Sequence, residues 1–166
     1  VVISTITGRY YALDRDNRWE RISQAYNAII KSESKVVCQN IHEAINSAYK
    51  SNLTDEFIPA TIINGYQGVK DGDGIFCLNF RSDRAREILS AIGDPSFESF
   101  SIGDRPKLSG LLGMVEYSKQ HNKFMETCYP QEIIINTLGE WVAKNGRTQF
   151  RVAETEKYPH VTFFLN

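Results

Sequence analysis

The chain has 166 residues, a usual length for one soluble domain, so a single domain spanning residues 1–166 is the first expectation. Apolar residues make up 42% and charged residues 23%, which excludes a disordered or low-complexity chain. The 19 lysines and arginines are balanced by 20 aspartates and glutamates, and the net charge is −1. Because this leaves no broad positive surface, we expect neither nucleic acid nor a membrane as a partner. Any anion site must be a local cluster of cations.

The two ends of the chain are strand-like runs, residues 1–6 and 161–166. Domain ends are usually polar and exposed, so we expect the chain to be part of a longer protein. Three widely spaced cysteines indicate a reducing, cytoplasmic compartment rather than disulfides. No histidine and cysteine pair lies at metal-ligand spacing, and we expect no metal site in this sequence.

Hydrophobic periodicity predicts alternating strands and helices in the first half of the chain. The predicted elements are a strand over 1–7, a helix from Asp16 to about Lys31, a short strand or connector over 36–39, a helix over about 40–50 and a strand over 58–64. Asp16 is the expected N-cap of the first helix. Asn40 and Glu43 have the spacing of a capping box at the second helix.

The second half of the chain continues the alternation after a turn at 71–74. A calcium loop is the alternative for this turn, but Ser82 stands where an acidic ligand is needed. The predicted elements are strands over 75–80, 111–117, 149–153 and 161–165, a helix from Ser82 or Asp83 to Gly93, a loop over 94–109 and a helix from Pro130 to Gly146. Together the two halves predict an α/β fold, a layered α/β/α sandwich with a mixed sheet.

Two segments place arginines where a predicted strand gives way to a predicted helix. These arginines are Arg9 and Arg15 in residues 8–19, and Arg81 and Arg84 in residues 79–84. A helix N-terminus carries partial positive charge, so each arginine there is unfavourable by about 0.3–1 kcal/mol unless an anion is bound. We therefore predict a site for a phosphate or carboxylate group. Weak ion pairs with the neighbouring Asp14, Asp16 and Asp83 are the alternative.

A third segment, residues 153–160, carries Lys157 between two predicted strands. This lysine could contact a phosphoryl group, although a lone lysine in an acidic loop is more often only solvated. The sequence has no Gly-x-Ser-x-Gly elbow and no glycine-rich phosphate loop with its lysine, so no nucleophile can be assigned within it.

The same three segments resemble the cofactor-independent phosphoglycerate mutases, which interconvert 3-phosphoglycerate and 2-phosphoglycerate in glycolysis without bisphosphoglycerate. The matching runs are residues 8–21, 79–86 and 153–164, with Thr137-Leu138-Gly139-Glu140 between the last two. Their order is that of the family, so the resemblance covers essentially the whole chain. It implies a cytoplasmic, monomeric isomerase.

The resemblance further implies a two-domain enzyme. One domain, similar to alkaline phosphatases, would hold two divalent metals, Mn²⁺ or Mg²⁺, and a serine that is transiently phosphorylated. This chain would be most of the inserted substrate-binding domain, with about residues 154–166 returning toward the missing phosphatase-like domain. By the same resemblance Arg9, Arg15, Arg81 and Arg84 would hold 2- or 3-phosphoglycerate, and Lys157 would lie near the transferring phosphoryl group.

Two other hypotheses remain open at the level of sequence. The chain could be a stand-alone binding module for a small phosphorylated or carboxylated ligand. It could also be a structural α/β domain whose arginines only pair with neighbouring acids. If the mutase resemblance holds, the chain alone should be inactive, because it carries half of the site.

Overall fold

A computed structural model describes residues 1–162. The chain divides into two compact units, Val1–Pro130 and Gln131–Asn166. The strands of the first unit are β1 (Thr5–Ile6), β2 (Val36–Cys38), β3 (Thr61–Ile63), β4 (Gly74–Cys77), β5 (Gly110–Val115) and β6 (Glu126–Tyr129). Its α-helices are α1 (Arg9–Ala12), α2 (Trp19–Tyr26), α3 (Ile41–Lys50) and α4 (Ser82–Gly93). A π-helical turn over Asn27–Lys31 continues α2, and 3-10 turns cover Asp55–Phe57 and His121–Lys123.

The second unit contains α5 (Leu138–Lys144), a 3-10 turn over Thr155–Lys157 and α6 (Tyr158–Val161). The expectations of one domain and of a return segment over about 154–166 stay predictions. In the part of the chain that the structure describes, no helix has the length and apolar character needed to cross a membrane.

The strands form two three-stranded sheets among the described residues. In the first, with order β1-β3-β2, β1 is antiparallel and β2 parallel to β3. In the second, with order β4-β5-β6, all neighbours are parallel, and Ile75 lies opposite Leu111. The predicted α/β class with a mixed sheet is confirmed, with the strands divided between two sheets.

The largest apolar core joins α2 to α4. The predicted helix over 82–93 is confirmed, and its apolar positions Ala85, Ile88, Leu89 and Ile92 are all buried. They pack with Ile22, Ala25 and Tyr26 of α2, which are fully buried. Each large aliphatic side chain buried here contributes about 1.5–3 kcal/mol, so this contact fixes α4 against α2.

Two helix starts in the first half test the capping predictions. The start of α3 is confirmed, since Asn40 Oδ1 accepts the Glu43 N–H at 3.0 Å. The predicted start at Asp16 is wrong, because the helix begins at Trp19 with Arg18 as its N-cap. The Asp14 carboxylate accepts the N–H groups of both Asp16 and Arg18, each at 2.9 Å, and holds these residues in a turn instead of a helix.

The predicted helix from Pro130 is also wrong at its start. It begins at Leu138, where Thr137 Oγ1 accepts the Glu140 N–H at 3.3 Å. Strand β6, which ends just before Pro130 and pairs with β5, was not predicted from the sequence.

The last two strand predictions fail within the described residues. The strand over 149–153 is absent, and these residues are irregular. The strand over 161–165 is contradicted at Val161, the last residue of α6, and its residues 163–165 lie outside the described part.

Candidate functional site

Two of the predicted site arginines meet on one carboxylate. Arg15 Nη1 donates to Asp83 Oδ2 at 2.9 Å. Arg81 donates from Nε to Asp83 Oδ1 at 2.8 Å and from Nη2 to Oδ2 at 3.2 Å. Burial acts to raise the pKa of Asp83, but the hydrogen bonds from Arg81 and Arg15 outweigh it and hold the pKa below its ordinary value. Asp83 is therefore a firmly ionised anchor between the two arginine segments.

Arg84 ties the same two segments together from the next position of α4. Its Nη1 donates to the carbonyl oxygen of Leu13 at 2.9 Å. Among residues 1–162 Arg84 forms no ion pair, so its charge is not neutralised by a described carboxylate. We define the arginine cluster as Arg15, Arg81 and Arg84 with Asp83.

The arginine cluster lies at the start of α4. Arg81 is the N-cap residue, and its side chain makes no capping hydrogen bond to the first turn. The first N–H groups of an α-helix have no partner within the helix, and together with the helix dipole they attract an anion. The side chain of Arg81 is 56% exposed and that of Arg15 is 29% exposed, so an anion can reach both.

The loop before α4 is held by Tyr117, which is 1% exposed. Its hydroxyl donates to the carbonyl oxygen of Asn79 at 2.6 Å, and Asn79 Oδ1 accepts the Arg81 N–H at 2.9 Å. Burial, and with it the hydrogen bond to Cys77, raises the pKa of Tyr117, so the phenol stays a donor. The ring fits because Gly113 has no side chain: a Cβ there would lie 2.4 Å from Tyr117 Cε2.

Arg9 forms its ion pair with Glu56 and not with the Asp83 carboxylate of the arginine cluster. Its Nη2 lies 3.2 Å from Glu56 Oε1, and its side chain is 58% exposed. The backbone just before it is close to the neighbouring segment, since the Gly8 N–H donates to the Ile58 carbonyl at 2.7 Å. Its place in the substrate site stays a prediction.

Lys157 belongs to the second unit. It ends the 3-10 turn Thr155–Lys157, its N–H donates to the Glu154 carbonyl at 2.9 Å, and it is exposed. Glu154 also caps this turn, since its Oε2 accepts the Glu156 N–H at 3.1 Å. The predicted contact between Lys157 and a phosphoryl group stays a prediction.

Two buried acids lie next to the arginine cluster: Asp14, which the sequence singled out only as a possible ion-pair partner, and Glu87, which it did not single out. Asp14 is 3% exposed and Glu87 is 7% exposed. Glu87 Oε1 accepts the Asn17 N–H at 2.9 Å, which joins α4 to the loop that carries Arg15. A glutamate in an amphipathic helix normally indicates a solvated face, so the sequence offered little signal for this contact.

Within residues 1–162 no group of three or more histidine, cysteine, aspartate or glutamate side chains is placed to hold a metal ion. The described part of the chain does not fit a divalent metal centre, and no metal-dependent step is assigned to it.

A mixed α/β unit that gathers arginines at an uncapped helix start is typical of domains that bind small anions. The family described as BPG-independent PGAM N-terminus matches residues 1–119, and the chain belongs to this family. The match covers the first two segments that carry the resemblance, and the relatives described next, which cover 99% of the chain, confirm the resemblance as a whole.

Similar proteins span the chain almost completely. The chain is 60% identical over 164 residues to the 2,3-bisphosphoglycerate-independent phosphoglycerate mutase of Ruegeria sp. (strain TM1040) and 61% identical over 164 residues to that of Ruegeria pomeroyi. Each match covers 99% of this chain and 32% of the relative. A crystal structure of Leishmania mexicana phosphoglycerate mutase at low cobalt concentration is similar with a TM-score of 0.78 and 26% identity, covering 99% of this chain and 31% of that one. The chain spans about a third of the length of the curated relatives it matches.

Proposed function

We propose that this chain is the substrate-gripping part of a 2,3-bisphosphoglycerate-independent phosphoglycerate mutase, an isomerase that interconverts 3-phosphoglycerate and 2-phosphoglycerate. The observation that carries the proposal is the meeting of Arg15 and Arg81 on Asp83 at the start of α4, in a chain of this family. Phosphoglycerate carries a carboxylate and a phosphate, both of which suit guanidinium groups.

Arg81 and Arg84 would hold the substrate through hydrogen-bond donors that no described residue uses. A guanidinium has five N–H donors in a rigid fork that matches a carboxylate or phosphate. Arg84 uses Nη1 on Leu13, and Arg81 uses Nε and Nη2 on Asp83. The remaining donors of these two residues would bind substrate oxygens, with Arg15 beside them. We further propose that Arg9 contacts the substrate, and that Lys157 of the second unit contacts the transferring phosphoryl group.

The chemistry itself would come from the part of the protein that this chain does not span. The family's phosphatase-like domain would supply the serine nucleophile, and two divalent metal ions would stabilise charge on the phosphoryl group. The phosphoryl group would move to the serine and then, after the bound glycerate reorients, to the other hydroxyl. The role of this chain would be to hold the glycerate while it turns. We expect the whole protein to be cytoplasmic and monomeric.

The test is a mutase assay on the complete protein that contains this chain, with 3-phosphoglycerate, Mn²⁺ and no bisphosphoglycerate. We expect 2-phosphoglycerate to form, and activity that needs added bisphosphoglycerate, or no activity, would overturn the proposal. The relatives are named as mutases and are about three times as long as this chain, so the alternative of a stand-alone binding module has no support from them.

A further inference from the structure

Glu87 lies on α4 within one turn of Asp83 and Arg84, but it faces inward. Its Oε1 accepts the Asn17 N–H at 2.9 Å across 70 positions of the chain. Its Oε2 is buried and finds no hydrogen-bond donor among residues 1–162. A buried acceptor without a donor is costly, so this oxygen needs an explanation.

The neighbouring carboxyl group of Asp14 supplies the explanation, because Asp14 and Glu87 are close enough for each to shift the pKa of the other. Two carboxyl groups can share a hydrogen bond only if one of them keeps its proton, because two charged carboxylates repel each other. Asp14 Oδ2 accepts two backbone N–H groups at 2.9 Å, and Oδ1 accepts Arg21 Nη1 at 3.4 Å. These donors stabilise a charged Asp14, so the proton belongs on Glu87, where it makes Oε2 a donor.

The charges around the pair favour the same assignment. Asp14 and Asp16 face Glu87 from the loop, and Arg21 of α2 faces Asp14. Burial raises the pKa of Glu87, and the negative charges of Asp14 and Asp16 raise it further. The hydrogen bond from the Asn17 N–H acts to lower this pKa but is outweighed. Burial acts to raise the pKa of Asp14 as well, but the hydrogen bonds from Arg18, Asp16 and Glu87 outweigh it and leave that pKa below its ordinary value.

We propose that Glu87 is a positioning residue of the arginine cluster: as a neutral acid it holds the loop over 14–18 against α4 through Asp14 and the Asn17 amide. It thereby sets where Arg15 lies relative to Asp83. This inference rests on the proposed function only for its kinetic consequence. When Glu87 ionises at higher pH, the two carboxylates repel each other, which weakens this attachment of the loop to α4.

The experiment compares the complete wild-type protein with Glu87→Gln and Glu87→Leu. Glutamine keeps both contacts, because its amide donates to Asp14 and its carbonyl accepts from Asn17. We expect Leu to raise the KM for 3-phosphoglycerate at least about tenfold with a smaller change in kcat, as for the loss of ~1.4 kcal/mol of binding. The Gln variant should keep the wild-type KM at acid pH, where Glu87 is neutral, and the ratio of the wild-type KM to that of the Gln variant should rise as the pH is raised. Glu98→Gln, at an exposed glutamate, should follow wild type throughout and is the matched control.

A second readout separates this inference from the proposed function. Amide hydrogen exchange at Asn17, measured without substrate, should be less protected in Glu87→Leu than in Glu87→Gln. If wild type and all variants lack mutase activity, the proposed function fails. The protection of the Asn17 amide from hydrogen exchange then tests the role of Glu87 by itself. Equal protection in the Leu and Gln variants, or a Gln variant with the same pH profile as wild type, would overturn the inference.

Discussion

Asp83 accepts a hydrogen bond from Arg15 Nη1 at 2.9 Å, across 68 positions of the chain. The same carboxylate holds Arg81 through two hydrogen bonds. The sequence left two interpretations open, an anion site and a set of local ion pairs. The two are compatible, because an ion pair that draws two arginines to one place also orders them for a ligand that binds both.

Arg15→Ala and Arg81→Ala should each cut kcat/KM by at least about 100-fold, as for the loss of a charged contact worth roughly 3 kcal/mol in the transition state. The measurement is steady-state kinetics of the complete protein in the 3-phosphoglycerate to 2-phosphoglycerate direction. Lys119→Ala is the matched control, since Lys119 is exposed and lies outside the arginine cluster. Near-normal kinetics in both arginine variants would remove these residues from the site.

Asp14→Asn should lower the free energy of unfolding by about 1–3 kcal/mol, because a buried carboxylate loses its charge beside two N–H donors and Arg21. The pKa of Asp14 is held below its unfolded value of 3.8. The contribution of its charge is therefore present above pH 3.8 and is lost as the pH falls through the lower, folded value. Urea unfolding followed by circular dichroism should show that the difference in free energy of unfolding between wild type and variant becomes smaller at acid pH. A stability difference that becomes larger at acid pH would contradict the assignment of a negative charge to Asp14.

The parts of the fold that could be predicted from sequence are those fixed by local spacing. The helix over 82–93 follows from its apolar periodicity, and the start of α3 follows from Asn40 and its capping distance. The start of α2 could not be fixed in this way, because Asp14 and Asp16 are both residue types that cap helices and form turns, and local spacing does not decide which of them is the acceptor.

The same division holds for the candidate site. Its arginine segments are visible as residue types beside predicted helix starts. The contacts that position these segments are not visible in the sequence, since Glu87 accepts the Asn17 N–H across 70 positions of the chain. In the same way, β6 is defined by its pairing with β5. Such contacts depend on tertiary packing, for which a single sequence contains no local signal.

Gly113→Ala should destabilise the protein and raise KM, while Gly110→Ala in the same strand should do neither. A Cβ at Gly113 would lie 2.4 Å from Tyr117 Cε2 and 2.8 Å from Met125 Cε, whereas a Cβ at Gly110 meets nothing within 4 Å. Overpacking of this kind costs about 1–3 kcal/mol. It would also displace the Tyr117 hydroxyl that holds the Asn79 carbonyl before Arg81.

Urea unfolding and KM for 3-phosphoglycerate, measured on both glycine variants, check this prediction. Tyr117→Phe separates the two effects, because it keeps the ring and removes only the donor. We expect it to raise KM with a smaller loss of stability than Gly113→Ala. Equal effects of the two glycine substitutions would show that the space beside Tyr117 is not what restricts position 113.

The 166-residue chain on its own should bind 3-phosphoglycerate weakly and turn none of it over. Binding is expected because the arginine cluster lies within the first unit, and weak binding because Arg81 is more than half exposed and screened by salt. Calorimetric titration at low and high ionic strength should give an affinity that falls as salt is added. Turnover is not expected, since the family's nucleophile and metal ligands cannot be assigned to this sequence. A mutase assay of the purified chain, with and without Mn²⁺, decides the point: measurable formation of 2-phosphoglycerate would mean that these residues contain a complete active site.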